Sequence, residues 1–274
     1  MTGLRAIAFG AHPDDCEYKF GGAAAKFVRA GAAVKFVSMA NGDAGHQEMD
    51  GGALAKVRYA EAQTAGKRLG IAEYEVMDNH DGELLATLEL RRQTIRAIRE
   101  WNADLVLAPR PNDYHPDHRY AGIVVQDAAF LVTVPKIVPD VAPLRRNPIF
   151  LYFEDSFQDP APFRPDVAVD IDDVWEMKVG GLDAHASQFY DWLPWLEGNA
   201  DQVPSDAAAR RQWLSRTRAG KISPAVRDAL ERRYGAERGR KTEHAEAFQL
   251  CEFGRRASVE ELRELLPGWG AGGQ

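Results

Sequence analysis

The stretch FGAHPDDCE, from Phe9 to Glu17, decides the organisation of this chain. It completes the apolar run Leu4 to Phe9, which has the length and composition of a short buried strand. A histidine and two carboxylates, His12, Asp14 and Asp15, therefore stand where the chain leaves a strand and turns. In α/β folds this edge of the sheet is where ligands bind.

A second polar cluster follows another apolar run. The stretch YHPDHRYAG supplies His115, Asp117 and His118 shortly after the run Leu105 to Ala108. If the two strands are neighbours, two histidines and at least one carboxylate converge on a single crevice. Nitrogen and oxygen donors from three residues, with a fourth position open for water, form the ligand set of a catalytic zinc ion.

Short apolar runs alternate with helical patterns along the first 190 residues. We expect further strands at 33–40, 74–77, 105–108, 149–153 and 167–171, and helices at 18–30, 54–69, 88–101, 121–132 and 172–186. This alternation predicts an α/β fold with a mostly parallel sheet and helices on both of its faces. Two glycines in the first helix, Gly21 and Gly22, indicate a close approach of its backbone to a neighbouring element or ligand.

The composition changes after residue 190. Tryptophans at positions 192, 195 and 213 lie among charged helical stretches, and the next strand signal comes only near 248–253. The apolar content of this part is too low for an independent interior. We therefore expect a core of residues 1–190 with residues 191–274 as a mainly helical extension packed on it.

The length and the net charge of the chain exclude several classes of function. The chain has 274 residues and is 45% hydrophobic, which is enough for a large core. Its net charge of -7 argues against binding to nucleic acid or to an anionic membrane, because such partners usually require a basic surface. No apolar run approaches the roughly 20 residues of a membrane span. The amino terminus lacks a signal-peptide pattern, and we expect a cytoplasmic protein. The two cysteines, Cys16 and Cys251, are too few for a disulfide framework.

The spacing within the clusters predicts the chemistry. His12 and Asp15 are three residues apart at the start of a helix and can point to one side, where His118 completes a facial trio. Zinc bound in this way lowers the pKa of a bound water molecule to about 7. Asp14 is directed differently and suits a general base. A protonated His115 is expected to stabilise an oxyanion or to protonate the leaving group.

The sequence allows two interpretations of several neighbouring side chains. Either Asp113 or Asp117 holds a histidine in its tautomer. Arg58 forms a helix-surface salt bridge with Glu61, or it faces the crevice and holds a substrate oxygen. A lone loop histidine such as His46 is a surface residue more often than a ligand.

The sequence also leaves open the identity of the metal and the role of Cys16. Two histidines and one carboxylate suit either zinc or ferrous iron. Cys16, beside the proposed ligands, is a metal thiolate or a small residue packed beneath the site, and we favour the packing role. Paired aspartates also cap helices and HPDH can form a turn, but both clusters follow strands, which favours a functional site.

These motifs resemble those of the PIG-L or LmbE-like family, zinc-dependent de-N-acetylases of N-acetylglucosaminyl groups and related amides. AHPDDCE at 11–17 matches the family's AHPDDxE, and PNDYHPDH at 111–118 matches its HxxDH-type element. Weaker similarity covers NGDAG at 41–45, RYAE at 58–61, DGEL at 81–84 and HASQ at 185–188. The resemblance implies a Rossmann-like fold and a homo-oligomer.

The resemblance also implies roles for individual residues. Zinc is expected on His12, Asp15 and His118. Asp14 is expected to act as base and His115 to stabilise the transition state. On the substrate side, Arg58 becomes an expected substrate contact, and Asp113 an expected partner of the histidine pair.

The leading hypothesis is a metal-dependent hydrolase that removes acetate from a small N-acetylated sugar conjugate. One alternative is an amidase acting on a different carbon–nitrogen bond, such as a thiol-conjugate amide. Another is a non-catalytic nucleotide-binding module, which the sequence disfavours because the turn GAHPDD lacks a G-x-G-x-x-G cradle and its carboxylates repel a pyrophosphate. The sequence assigns no role to His185.

Overall fold

The fold is built on one seven-stranded sheet. The computed structural model describes residues 3–266. The strands of these residues are β1 (Arg5–Gly10), β2 (Ala33–Ser38), β3 (Glu73–Val76), β4 (Leu105–Ala108), β5 (Ile149–Phe153), β6 (Val167–Asp170) and β7 (Ala245–Cys251). Their order across the sheet is β3-β2-β1-β4-β5-β7-β6.

Helices connect and extend these strands. They are α1 (Asp15–Arg29), α2 (Gly51–Leu69), α3 (Leu88–Glu100), α4 (Pro116–Leu131), α5 (Trp175–Asp183), α6 (Leu193–Glu197), α7 (Ala207–Arg218), α8 (Pro224–Tyr234), α9 (Ala236–Lys241) and α10 (Val259–Leu265). A 3₁₀ turn at Asp172–Val174 leads into α5, and a π-helical turn at Ser187–Trp192 leads into α6. Within residues 3–266 no helix combines the length and the apolar character that a membrane crossing requires.

The strand order places a crevice between β1 and β4. The chain runs outward from β1 through β2 to β3, and then returns to add β4 and β5 on the other side of β1. These five strands are parallel, whereas β7 is antiparallel to both β5 and β6. The predicted α/β fold with a mostly parallel sheet is confirmed. Ligands bind in such folds where the strand order reverses, at the carboxyl ends of the strands.

Alternate residues of β1 enter two separate core layers. Ala6 and Ala8 are fully buried beneath α1, α2 and α5, while Ile7 and Phe9 are fully buried beneath α3 and α4. Because successive side chains of a strand point to opposite faces, both faces of the sheet are covered by helices. This explains why the strands are apolar runs and do not alternate with polar residues.

The carboxyl-terminal part contributes directly to this sheet. Strand β7 lies between β5 and β6, and its Phe248 is fully buried in the core. Helix α8 packs Val226 and Leu230 against Ala168 of β6. The strand signal near 248–253 corresponds to β7, slightly earlier in the chain. The division at residue 190 stays a prediction.

Helix α1 closely approaches β7 and Ile171, the residue after β6, at Gly22. A Cβ atom on Gly22 would lie 2.7 Å from Cδ1 of Ile171. The carboxylate of Glu246 accepts the backbone N–H of Gly22 at 2.9 Å, and Lys178 Nζ donates to Glu246 at 2.7 Å. Gly22 therefore allows the close approach that the sequence indicated, whereas a Cβ atom on Gly21 would lie at an ordinary contact distance of 3.5 Å from Lys178.

Candidate metal centre

The turn after β1 is held by Asp15. One oxygen of its carboxylate accepts the backbone N–H groups of Ala11 and His12, at 2.8 and 2.9 Å. The preceding Asp14 has φ 132°, a conformation that side-chain-bearing residues rarely adopt. Such strain costs on the order of 1–3 kcal/mol and concentrates at functional sites.

Three of the residues predicted as ligands meet at this turn. His118 Nε2 lies 3.3 Å from His12 Nδ1 and 3.5 Å from Asp15 Oδ1. His12 Nδ1 lies 3.7 Å from Asp15 Oδ2. Donor atoms about 2.0–2.1 Å from a tetrahedral zinc ion are separated by roughly 3.3 Å. The two imidazole nitrogens have this separation, and Asp15 faces each of them with a different carboxylate oxygen.

The outer nitrogens of both histidines face carboxylates. His12 Nε2 lies 3.0 Å from Asp81 Oδ1 and 3.2 Å from Asp117 Oδ2, and His118 Nδ1 lies 3.1 Å from Asp113 Oδ2. A carboxylate accepts the N–H of an imidazole, which leaves the lone pair of the other nitrogen for a metal. Asp113 and Asp117 thus each partner one histidine, and the sequence had left open which of them does so.

Asp81 is a site residue that the sequence analysis did not assign. Its signal was present, since DGEL begins at Asp81 and follows β3 at the same edge of the sheet. The aspartate lay in a weak motif, and a carboxylate after a strand is common in turns. Its proximity to His12 arises only when the loop after β3 folds over the turn after β1.

Two groups of side chains each offer single donor atoms that lie within 4.8 Å of one another, His12 with His115 and His118, and His12 with Asp81 and Asp117. The second group lacks His118, and its Asp117 accepts backbone N–H groups, as Asp15 does. Asp117 is fully buried and also accepts the backbone N–H groups of Gly82 and Leu84, at 2.7 and 3.2 Å. This carboxylate therefore holds the loop after β3, and we favour the trio that contains Asp15.

His115 caps helix α4 through one ring nitrogen. Its Nδ1 accepts the backbone N–H of Asp117 at 3.2 Å, so Nδ1 carries no proton and the neutral ring bears its hydrogen on Nε2. Burial and the neighbouring His12 and His118 lower the pKa of His115. This arrangement favours a neutral imidazole that donates a hydrogen bond, in place of the protonated imidazole expected from the sequence.

Asp14 is a buried carboxyl beside the trio, with 7% of its surface exposed. Burial, followed by the charge of Asp15, raises the pKa of Asp14 to about 7, although His185 and Arg58 oppose the rise. A cation held by the neighbouring residues would lower this pKa, because an opposite charge favours the ionised form.

Arg58 is buried and directed away from Glu61. Its Nη2 donates to the carbonyl oxygen of Gly45 at 2.8 Å, and its Nε has no hydrogen-bond partner among residues 3–266. Glu61 instead accepts the backbone N–H and the hydroxyl of Ser187, at 2.8 and 2.6 Å. The helix-surface salt bridge is therefore not formed, and an unused donor of Arg58 remains.

A buried pair lies behind Asp14. His185 Nε2 is 2.9 Å from Glu17 Oε1, and both side chains are fully buried. Tyr74 donates its hydroxyl to the other oxygen of Glu17 at 3.1 Å. Burial alone would lower the pKa of His185, but the Glu17 carboxylate outweighs burial and the pKa is raised.

Cys16 and His46 take structural positions. Cys16 is 1% exposed, burial raises its pKa well above the ordinary value of 9.0, and its Sγ lies 3.5 Å from the carbonyl oxygen of Ala8. A packed thiol fits these facts better than a metal thiolate. The side chain of His46 is buried, and its Nδ1 accepts the backbone N–H groups of Glu48 and Met49, at 3.1 and 3.0 Å.

Comparisons with known proteins place both clusters in a shared region. A model of the PIG-L family, described as GlcNAc-PI de-N-acetylase, matches residues 7–129. The diacetylchitobiose deacetylase of Thermococcus kodakarensis is 30% identical over 200 residues, covering 68% of this chain and 72% of that protein. A 4-oxalmesaconate hydratase of Pseudomonas putida is 26% identical over 195 residues, covering 68% and 75%.

The fold is also found in solved structures. That of N,N'-diacetylchitobiose deacetylase from Pyrococcus horikoshii matches with a TM-score of 0.69 at 23% sequence identity. The match covers 90% of this chain and 84% of that one. It extends well past the 7–129 region, so the shared architecture includes much of the carboxyl-terminal part.

Proposed function

Because this chain belongs to the PIG-L, or GlcNAc-PI de-N-acetylase, family, we propose that it removes the acetyl group from an N-acetylglucosaminyl-type sugar or sugar conjugate. The relative at 30% identity is named as a deacetylase of diacetylchitobiose, which supports this substrate class. The reaction adds water across an amide, breaks the carbon–nitrogen bond, and yields acetate and an amine.

The observation that carries the proposal is the donor trio of His12, Asp15 and His118, in which the two imidazole nitrogens lie 3.3 Å apart and the two carboxylate oxygens of Asp15 lie 3.5 and 3.7 Å from one nitrogen each. We assign zinc to it, with ferrous iron as the alternative that the same donors suit. When bound, zinc lowers the pKa of a water molecule to about 7 and polarises a carbonyl oxygen. Asp81, Asp117 and Asp113 would orient the two imidazoles for that role.

The remaining residues supply proton transfer and charge stabilisation. Asp14 takes the proton of the attacking water and returns it to the leaving nitrogen, so no net proton is consumed at the carboxyl. The Nε2 hydrogen of His115 donates to the oxyanion that forms as the carbonyl carbon becomes tetrahedral. Arg58, whose positive charge opposes the raised pKa of Asp14, is assigned to an oxygen of the sugar.

The proposal is tested by acetate release from N,N'-diacetylchitobiose and N-acetylglucosamine. We expect chelation to abolish the activity and zinc to restore it. Asp14→Asn should lower kcat by about 10²–10⁴-fold, which is the usual contribution of a general base to the rate. The amount of bound metal should not change. Asp78→Asn, an exposed aspartate at the same edge of the sheet, is the matched control. Full activity of Asp14→Asn would remove the proposed base.

A hydratase is the second candidate, because a 4-oxalmesaconate hydratase is 26% identical to this chain. The same residues could instead add water across a carbon–carbon double bond, with the hydroxyl group bonding to one carbon and the proton, carried by Asp14, to the other. Incubation with 4-oxalmesaconate distinguishes a hydratase from a deacetylase, because a hydratase consumes this compound and releases no acetate from any sugar. We expect no consumption. Turnover of bulkier amides, measured in parallel, tests the remaining amidase alternative.

A further inference from the structure

A large cleft lies next to the candidate metal centre. Its volume is about 660 Å³, within the usual range for small-molecule sites. Its walls come from the first turns of α1, the segment after β5, helix α5, the start of β7 and the segment that joins α7 to α8. Most of these walls lie outside residues 7–129, where the family model matches.

The cleft shares lining residues with a small cavity beside the donor trio. A small cavity of about 30 Å³ is lined by Asp15 and His118 on one side and by Lys19, Glu154 and Asp155 on the other. The last three residues also line the large cleft. One layer of side chains therefore separates the cleft from two residues of the trio.

The carboxylates of the cleft are largely compensated. Asp155 forms a double hydrogen bond to Arg110, with both distances 2.6 Å. Glu246 is paired with Lys178 at 2.7 Å. Burial raises the pKa of Glu154, although the charges of Lys19 and Lys178 oppose the rise.

Cationic groups of the cleft are less well compensated. Lys19 Nζ donates to the backbone carbonyl of Glu154 at 2.9 Å, a neutral acceptor. Arg218 pairs its Nη1 with Glu197 at 3.0 Å, but its Nε and Nη2 are buried without hydrogen-bond partners in residues 3–266. The exposed Lys221 makes no ion pair with the described residues. The Arg218 guanidinium also lies over the ring of Phe189. Lys19, Arg218 and Lys221 thus place three cationic side chains on the walls of this cleft, in a chain with a net charge of -7.

We propose that this cleft binds an anionic group, a phosphate or a carboxylate, which the substrate carries on the sugar away from its acetamide. The inference rests on the proposed deacetylase function for the position of the sugar, and on Arg218, Lys221 and Lys19 for the charge. Guanidinium and ammonium donors recognise phosphate and carboxylate oxygens through charge-assisted hydrogen bonds.

Equilibrium binding gives the first test. Calorimetry on the metal-loaded protein compares N-acetylglucosamine with its 6-phosphate, and with N-acetylmuramic acid as the carboxylate. We expect the two anionic sugars to bind at least about 10-fold more tightly than the neutral sugar, with an advantage that falls as salt is added. Tighter binding of one anionic sugar alone would identify the group. Equal binding of all three would overturn the inference.

Variants locate the binding to the cleft. The double variant Arg218→Gln and Lys221→Gln should lose most of the anionic preference, and Lys221→Gln alone, an exposed position, should lose part of it. Arg216→Gln with Lys241→Gln removes the same charge at exposed positions outside the cleft and should keep the preference. If both double variants behave alike, the cleft is not the site.

Kinetics separate this inference from the proposed function. For acetate release, the cleft variant should raise KM for the anionic sugars and leave kcat/KM for N-acetylglucosamine unchanged. Deacetylation with no preference for anionic sugars would keep the proposed function and remove the inference. Selective binding without acetate release from any sugar would keep the anionic site and remove the deacetylase.

Discussion

At the scale of single residues, neighbouring carboxylates determine which ring nitrogen of His12 carries the proton. Asp81 and Asp117 lie 3.0 and 3.2 Å from Nε2, while Nδ1 faces His118 at 3.3 Å. The proton therefore belongs on Nε2 and the free lone pair on Nδ1. The motif identified this histidine, but it did not show which nitrogen faces the metal position.

His115 provides a prediction about catalysis without loss of structure. In His115→Asn the shorter amide oxygen can still cap α4, because asparagine is a good N-cap residue, but the donor directed at the oxyanion is lost. We expect kcat to fall by about 10²–10³-fold with little change in KM or thermal midpoint. Steady-state kinetics and thermal unfolding check this, and an unchanged kcat would exclude the assigned role.

His185 provides a prediction about pH and stability. Its pKa in the folded protein is raised above the ordinary value of 6.5 by Glu17, against the effect of burial. The stabilisation from the charged pair is thus fully present below the unfolded pKa and is lost as pH rises through the folded pKa. Urea unfolding from pH 6 to 9 should show the advantage of wild type over His185→Gln shrinking with pH. A constant difference would contradict the pairing.

At the scale of elements, helix α1 depends on its contact with β7 and with Ile171, the residue after β6. It begins at Asp15, three residues before the predicted start, because the polar turn after β1 passes directly into the helix. The periodic apolar pattern that defines a helix begins only after this polar first turn. The motif residues are therefore part of the helix end, which holds them rigidly.

Gly22→Ala tests that contact. The added Cβ would lie 2.7–2.9 Å from three atoms of Ile171, so we expect a loss of about 1–3 kcal/mol in the free energy of unfolding. Gly52→Ala in α2 is the control, since its Cβ would have no neighbour within 4 Å. That change should be neutral or stabilise the helix by up to about 1 kcal/mol. Urea unfolding of both variants measures the difference, and equal stabilities would refute the close packing.

At the scale of the whole molecule, one buried ion pair joins three elements. Lys178 of α5 pairs with Glu246 of β7, and Glu246 accepts backbone N–H groups of α1. Both residues are buried, with exposed fractions of 6% and 3%. The carboxyl-terminal strand is in this way tied to the helix that begins at the candidate metal centre. The homo-oligomer and the boundary at residue 190 stay predictions.

Lys178→Met tests the importance of this pair. The change leaves Glu246 buried without its counter-charge, and we expect a loss of about 3–5 kcal/mol in the free energy of unfolding. Adding Glu246→Gln should recover part of the loss, because the unpaired charge is then removed. Lys241→Met breaks an exposed pair with Glu237 and should leave stability unchanged. The same small effect for Lys178→Met would show that the buried pair contributes little.

The sequence alone determined the elements of the core and the edge at which the site forms. Apolar runs and helical periodicity are local properties, and the carboxyl ends of neighbouring parallel strands meet at one edge of a sheet. Only the tertiary structure decided that β7 enters between β5 and β6, that Asp81 and Asp117 both support His12, and that Arg58 turns from Glu61 to Gly45. These arrangements depend on contacts between distant positions, such as the 105 residues that separate His12 from Asp117, and no local pattern contains that information.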